Sequence, residues 1–70
     1  MNYNLLKSKI ALQGRTTKDV AEALKLSKSA MYRKMHGITE FTRSEISKLI
    51  EYLDINYKEA MEIFFNEKVS

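Results

Sequence analysis

Residues Thr16 to Gly37 read TTKDVAEALKLSKSAMYRKMHG, and the order of polar and apolar side chains specifies two short helices separated by a tight turn. Thr16 with Asp19 three residues on has the form of a short capping box, so it starts the first of them. Val20, Ala21 and Leu24 then recur at helical spacing and give this helix one apolar face, running to about Lys25. The pattern breaks at Leu26–Ser27. Ser27 caps the next helix, which reaches about His36 before Gly37 supplies the left-handed residue that ends it.

The second of these helices divides its side chains by chemistry. At about 100° per residue, Lys28, Tyr32, His36, Ser29 and Arg33 fall at roughly 0°, 40°, 80°, 100° and 140°, on one side. Met31 and Met35 fall at about 300° and 340° and can pack on the preceding helix. A solvated polar face is the plain meaning of such a helix. What distinguishes this one is the capped, apolar helix just before it, which props the polar arc outward. Together the two have the spacing of a helix-turn-helix, and the outward arc suits a helix read against DNA: only polar, mostly cationic groups meet base edges and phosphates in the major groove.

Outward from this stretch, Tyr3, Leu6 and Ile10 predict a helix over about residues 3–13 with Gly14 past its end. Thr42 with Glu45 is a second capping box, opening a helix whose Ile46, Leu49, Ile50 and Leu53 make an apolar stripe. Asn56 with Glu59 repeats the device for a fifth helix, in which Ala60, Ile63 and Phe64 point inward. Five short helices without a strand signal make an all-α fold, and 70 residues make one domain, residues 1–70. A chain of this size buries only about 60% of the surface it exposes when unfolded. With no cysteine and no metal-ligand cluster, helix packing or self-association must supply its stability.

The same composition sets limits on location. No apolar run approaches the roughly 18 residues of a membrane span, and MNYNLLKSKIAL lacks a signal peptide's apolar core. The expectation is a soluble, cytoplasmic protein without a membrane role, and the absence of cysteine fits a reducing interior. Net charge is +3, but the halves differ: residues 1–37 hold eight cations against two carboxylates, and residues 38–70 hold four against seven. A first half at +6 and a second at −3 places a localised basic footprint on the first, although uneven charge also arises by chance in small domains.

Thr16, Val20, Ala21, Leu24, Leu26, Ser27, Ser29, Met31 and the closing Gly37 resemble the helix-turn-helix of the Cro and phage-repressor (XRE-type) family. The stretch EFTRSEISKLIEYLDINYKEAMEIFF resembles that family's fourth and fifth helices, so the likeness covers about residues 4–65 and implies a lambda-repressor-like domain. Two positions depart from the pattern. Lys25 stands where the family turns on glycine, so either it accepts a left-handed conformation or the turn differs. Lys34 stands where an apolar side chain is usual, which shifts the packing to Met35 and lays the lysine stem along the surface.

Carried over position by position, the resemblance implies that Lys28, Ser29, Tyr32 and Arg33 reach base edges or flanking phosphates of a double-stranded operator. Arg33 suits bidentate contact with guanine. Tyr32 either donates to a phosphate, lies against a thymine methyl, or simply covers the helix surface. Thr17, Thr42 and Arg43 stand at helix starts, where amides, hydroxyls and a cation can meet phosphates; for the threonines, capping is the simpler role. His36 is the only histidine, a surface residue or occasional phosphate contact, with nothing at ligand spacing to make a metal site. No cofactor is expected, and the lack of a base-paired nucleophile or glycine-rich phosphate loop argues against an enzyme.

Two functions fit. The first is a phage or prophage transcription regulator, repressor-like, which would bind half-sites as a homodimer through Tyr57, Met61, Phe65 and Val69. Of Phe64 and Phe65, one is core and the other is left open. The second is an antirepressor or modulator that uses the acidic face of Glu51, Asp54, Glu59 and Glu62 to occupy the basic surface of a partner repressor. A shared scaffold does not decide between them.

Overall fold

The computed structural model describes residues 1–65. Five helices follow one another: α1 (Tyr3–Leu12), α2 (Thr17–Ala23), α3 (Lys28–Met35), α4 (Arg43–Tyr52) and α5 (Tyr57–Phe64). No strand occurs among the described residues, so the all-α expectation holds. Val69, expected in a self-association surface, lies outside the described residues.

Each helix starts at a side-chain cap. The side-chain oxygens of Asn2, Thr16, Ser27, Thr42 and Asn56 each accept the amide three residues on, at 2.8–3.1 Å. At α2, α4 and α5 the box is completed in reverse, as Asp19, Glu45 and Glu59 accept the amides of Thr16, Thr42 and Asn56. Caps of this kind stabilise a helix by about 1 kcal/mol each, which matters where helices are only seven to ten residues long. Asn2 was not anticipated from the sequence.

The first four helices also stop in one way. Beyond α2 the Lys25 amide donates to Glu22 O at 3.1 Å and the Leu26 amide to Ala21 O at 2.8 Å, the paired bonds of a Schellman ending. The same pair recurs at Gly14 and Arg15, at Gly37 and Ile38, and at Asp54 and Ile55. The left-handed residue is glycine after α1 and α3 but Lys25 (φ 57°) and Asp54 (φ 51°) after α2 and α4. Lys25 therefore takes the left-handed conformation, and the turn keeps its geometry. In these two endings the next residue is apolar: Ile55 belongs to the core and Leu26 packs against it, burial that helps hold a strained residue in place. At Gly37 the need for glycine is doubled: φ is +73°, and a Cβ there would lie 3.0 Å from the Tyr3 hydroxyl.

These ends let the apolar faces close on one core. Leu6, Val20, Leu49 and Leu53 are fully sealed, with Ile10, Met31, Met35 and Ile63 close behind. Ile46, Ile50 and Ala60 are partly buried against it, so the stripes expected on α4 and α5 face inward. Phe41 and Ile55, in connecting segments, also belong to the core and were unassigned in the sequence reading. α1 and α5 run antiparallel: the Asn2 amide donates to Ile63 O at 2.7 Å, and Lys9 pairs with Glu59 at 2.9 Å. Phe64 is buried and Phe65 is 59% exposed, which decides between the two aromatics. Among the described residues no helix is long and apolar enough to cross a membrane.

Candidate functional site

α3 lies against α2 through Met31 and Met35, both buried, while Lys28, Ser29, Tyr32, Arg33 and His36 are all exposed. The separation follows from the helical spacing of the two methionines, which turns the remaining positions to solvent. The exposed arc has two flanks. Lys28, Tyr32 and His36 follow at intervals of four residues and line a shallow groove of about 790 Å³ that α1 and α2 complete; Ser29 and Arg33 do not line it.

The groove has an apolar floor of Ala21, Leu26, Met31 and Met35 and a cationic rim of Lys7, Lys18 and Lys28. Thr17, at the first position of α2, lies on the same rim, with Glu22 as its carboxylate. Lys7 and Lys18 are site residues that the sequence reading missed. Their signal was faint, since both are ordinary surface lysines until the packing of α1 on α2 brings them beside α3.

One wall of the groove is a pair of stacked rings. Tyr32 and His36 lie with centroids 4.0 Å apart and an interplanar angle of 25°. The Nδ1 of His36 is 2.8 Å from the Tyr32 carbonyl oxygen. A carbonyl only accepts, so Nδ1 carries the hydrogen and Nε2 is the nitrogen free to meet a ligand.

On the far side, Met35 takes the packing as expected, and the Lys34 stem carries its ammonium into a set of contacts that the sequence did not indicate. Its Nζ is 2.9 Å from Glu45 Oε1, donates to Glu40 O at 3.0 Å, and stands 5.9 Å from the centre of the Phe41 ring. Glu45 also completes the α4 capping box, so one lysine ties the end of α3 to the first turn of α4. That tie sets the place of Thr42 and Arg43, both exposed at the start of α4. The Thr42 hydroxyl is occupied as the cap. Partial burial pushes the Glu45 carboxyl up, but hydrogen bonds from Lys34 and Thr42 and the lysine charge outweigh it and hold the group below its ordinary range.

The carboxylates of the acidic half divide similarly. Glu59 accepts the Asn56 amide and pairs with Lys9, which together hold its carboxyl below the usual range. It is therefore spent on structure and is not a free docking charge. Glu51 and Asp54 are exposed and Glu62 is half-buried; none of the three is in an ion pair among the described residues. Tyr57 is exposed and Met61 half-buried. No group of three or more His, Cys, Asp or Glu side chains able to hold a metal occurs among the described residues.

The family described as Protein of unknown function (DUF739) matches residues 1–67. The chain belongs to that family. No curated protein and no solved structure matches it. The geometry of α3 and its flanks is therefore what speaks to the role of this DUF739 chain.

Proposed function

We propose that the chain is a non-enzymatic, cytoplasmic, sequence-specific DNA-binding regulator of the Cro or phage-repressor kind, with α3 in the major groove. One observation carries this reading: Lys28, Ser29, Tyr32, Arg33 and His36, the side chains of α3 and its C-cap expected to face a duplex, are all exposed, while Met31 and Met35 are buried. A helix with its side chains is about 10–12 Å across, and the major groove is about 12 Å wide. Lys28 and Ser29 stand at the start of α3, where a recognition helix makes its deepest contacts. Arg33 lies one turn on, beside Ser29, with no ion pair among the described residues to compete for its guanidinium. Exposed Tyr57 and Phe65 offer apolar area for a homodimer on two half-sites.

Selection of bound duplexes from a randomised pool, followed by affinity measurement on the enriched sequence, tests the proposal. The expected result is one enriched motif whose binding depends on Arg33. A pool that shows no enrichment would remove the reading.

A modulator acting on another repressor has narrower support, since Glu51, Asp54 and Glu62 remain for a basic partner after Glu59 is taken into the fold. Charge reversal at Glu51 and Glu62 tests it without disturbing the start of α5. A complex with a basic repressor that survives both reversals would rule that face out.

A further inference from the structure

The cationic groove beside α3 has a volume of about 790 Å³, and its rim comes from three helices. Tyr3 of α1 reaches the closing turn of α3 at Gly37, and Lys7 is one helical turn further along α1 on the same side. Lys18 approaches from α2 and Lys28 from α3, and Glu22 is the one carboxylate on the groove among the described residues. An apolar floor beneath such a rim suits a chain that alternates anionic groups with carbon-rich sugar, as a nucleic-acid backbone does. The groove is also continuous with the exposed arc of α3, sharing Lys28, Tyr32 and His36 with it.

We propose that this groove seats the phosphodiester backbone of one DNA strand, with Lys7, Lys18 and His36 Nε2 as its ligands, while Ser29 and Arg33 on the other flank of α3 face the bases. The inference rests on the DNA-binding reading and adds to it a strand path and two unassigned contacts. It has a chemical consequence. Because Nδ1 is committed to the Tyr32 carbonyl, a neutral His36 presents a lone pair at Nε2, which repels a phosphate oxygen. With a hydrogen on each ring nitrogen, Nε2 is a charged donor to a phosphate oxygen, so the imidazolium is the form that seats the strand. The charged and titratable groups facing the ring are Lys7 from α1, Lys18 and Glu22 from α2, and Lys28 and Tyr32 from α3.

Backbone contacts are independent of sequence, so a mixed-sequence duplex of about 30 base pairs serves as the probe, followed by fluorescence anisotropy at about 50 and about 150 mM KCl. Lys7→Gln and Lys18→Gln should each weaken binding about threefold to tenfold at the lower salt and reduce the salt slope by about 0.9. Lys58→Gln, on α5, should leave both unchanged. His36→Phe, which keeps the ring stack but removes Nε2, should weaken binding by a factor similar to that of the lysine variants at the lower salt. Circular dichroism of each variant checks that the fold is intact.

If the wild type binds no duplex, the DNA-binding reading and this strand path fall together. If it selects a sequence through Arg33 while Lys7→Gln and Lys18→Gln keep the full salt slope, the strand path alone falls. If those variants spare duplex affinity but weaken an acidic amphipathic helical peptide, the groove is a protein-docking site and the proposal is overturned.

Discussion

The cations of the first half and the carboxylates of the second are put to different uses. Lys7, Lys18, Lys28 and Arg33 stand on or beside α3 without an ion pair among the described residues, whereas Glu45 and Glu59 are each held by a helix cap and a lysine. Both ion pairs among the described residues, Lys9–Glu59 and Lys34–Glu45, join one half to the other. They consume charge unevenly in meaning: the basic half gives up two cations away from the groove, and the acidic half gives up carboxylates that open its two helices. What remains on the surface is a concentrated positive site and a thinned negative one. Net charge by half predicts the first well and overstates the second.

The largest expected effect removes a free cation. Arg33→Ala should cost about 1–3 kcal/mol of binding to a selected operator and relax base choice at one position, while leaving the melting temperature nearly unchanged. An equal loss on every duplex sequence would recast Arg33 as a backbone contact and blur the division between the flanks of α3.

A structural carboxylate should behave in the opposite way. Glu45→Ala removes one side of a capping box and the partner of Lys34, and should lower stability by about 1 kcal/mol, or about 4–8 °C in Tm for a domain this size. Glu51→Ala, an exposed carboxylate outside the ion pairs of the described residues, should stay within about 0.5 kcal/mol. Equal effects in thermal melts would erase the distinction between spent and free carboxylates.

Acid titration probes the same carboxylates together. Asp19, held down by the hydrogen bonds of Thr16, and Glu59, held down by Asn56 and Lys9, join Glu45 in ionising below the ordinary range. A carboxyl whose folded pKa is depressed contributes stability above its unfolded pKa and loses it as pH falls through the folded value. Stability should therefore hold from neutral pH to about pH 5 and decline below about pH 4. In Glu45→Gln that decline should be shallower, as read by denaturant melts across the pH series.

The smallest effect concerns Lys25, a first-half cation whose backbone has a structural role. Lys25→Gly relieves a left-handed lysine and should add about 0.5–1 kcal/mol, partly offset by the greater freedom of glycine when unfolded. Asp54→Gly should gain less, because aspartate tolerates that conformation better. A loss of stability in Lys25→Gly would mean that the lysine side chain makes a contact worth more than the strain.

Much of this arrangement was legible because it is local. A cap depends on residues three apart, so Thr16, Ser27, Thr42 and Asn56 could be read directly, and Asn2 obeys the same rule although it went unread. Helical periodicity likewise separated Met31 and Met35 from Lys28, Ser29, Tyr32, Arg33 and His36. Phe41 and Ile55 were invisible to that argument, since they sit in connections with no period of their own. The Lys34 ion pair was equally invisible, because its partner, Glu45, is 11 positions away and already has a plausible local task.

By themselves, the residues of this chain determined where helices begin, where they stop and which side of each is apolar, because caps, endings and periodicity act over a few positions. Only the tertiary structure decided that Lys7 and Lys18 share a groove with His36, that Lys34 fastens α3 to α4, and that Glu59 is bound to Lys9 across 50 positions. Those outcomes depend on how whole helices dock, and a dock is selected by the fit of complete apolar faces rather than by any neighbouring pair of residues.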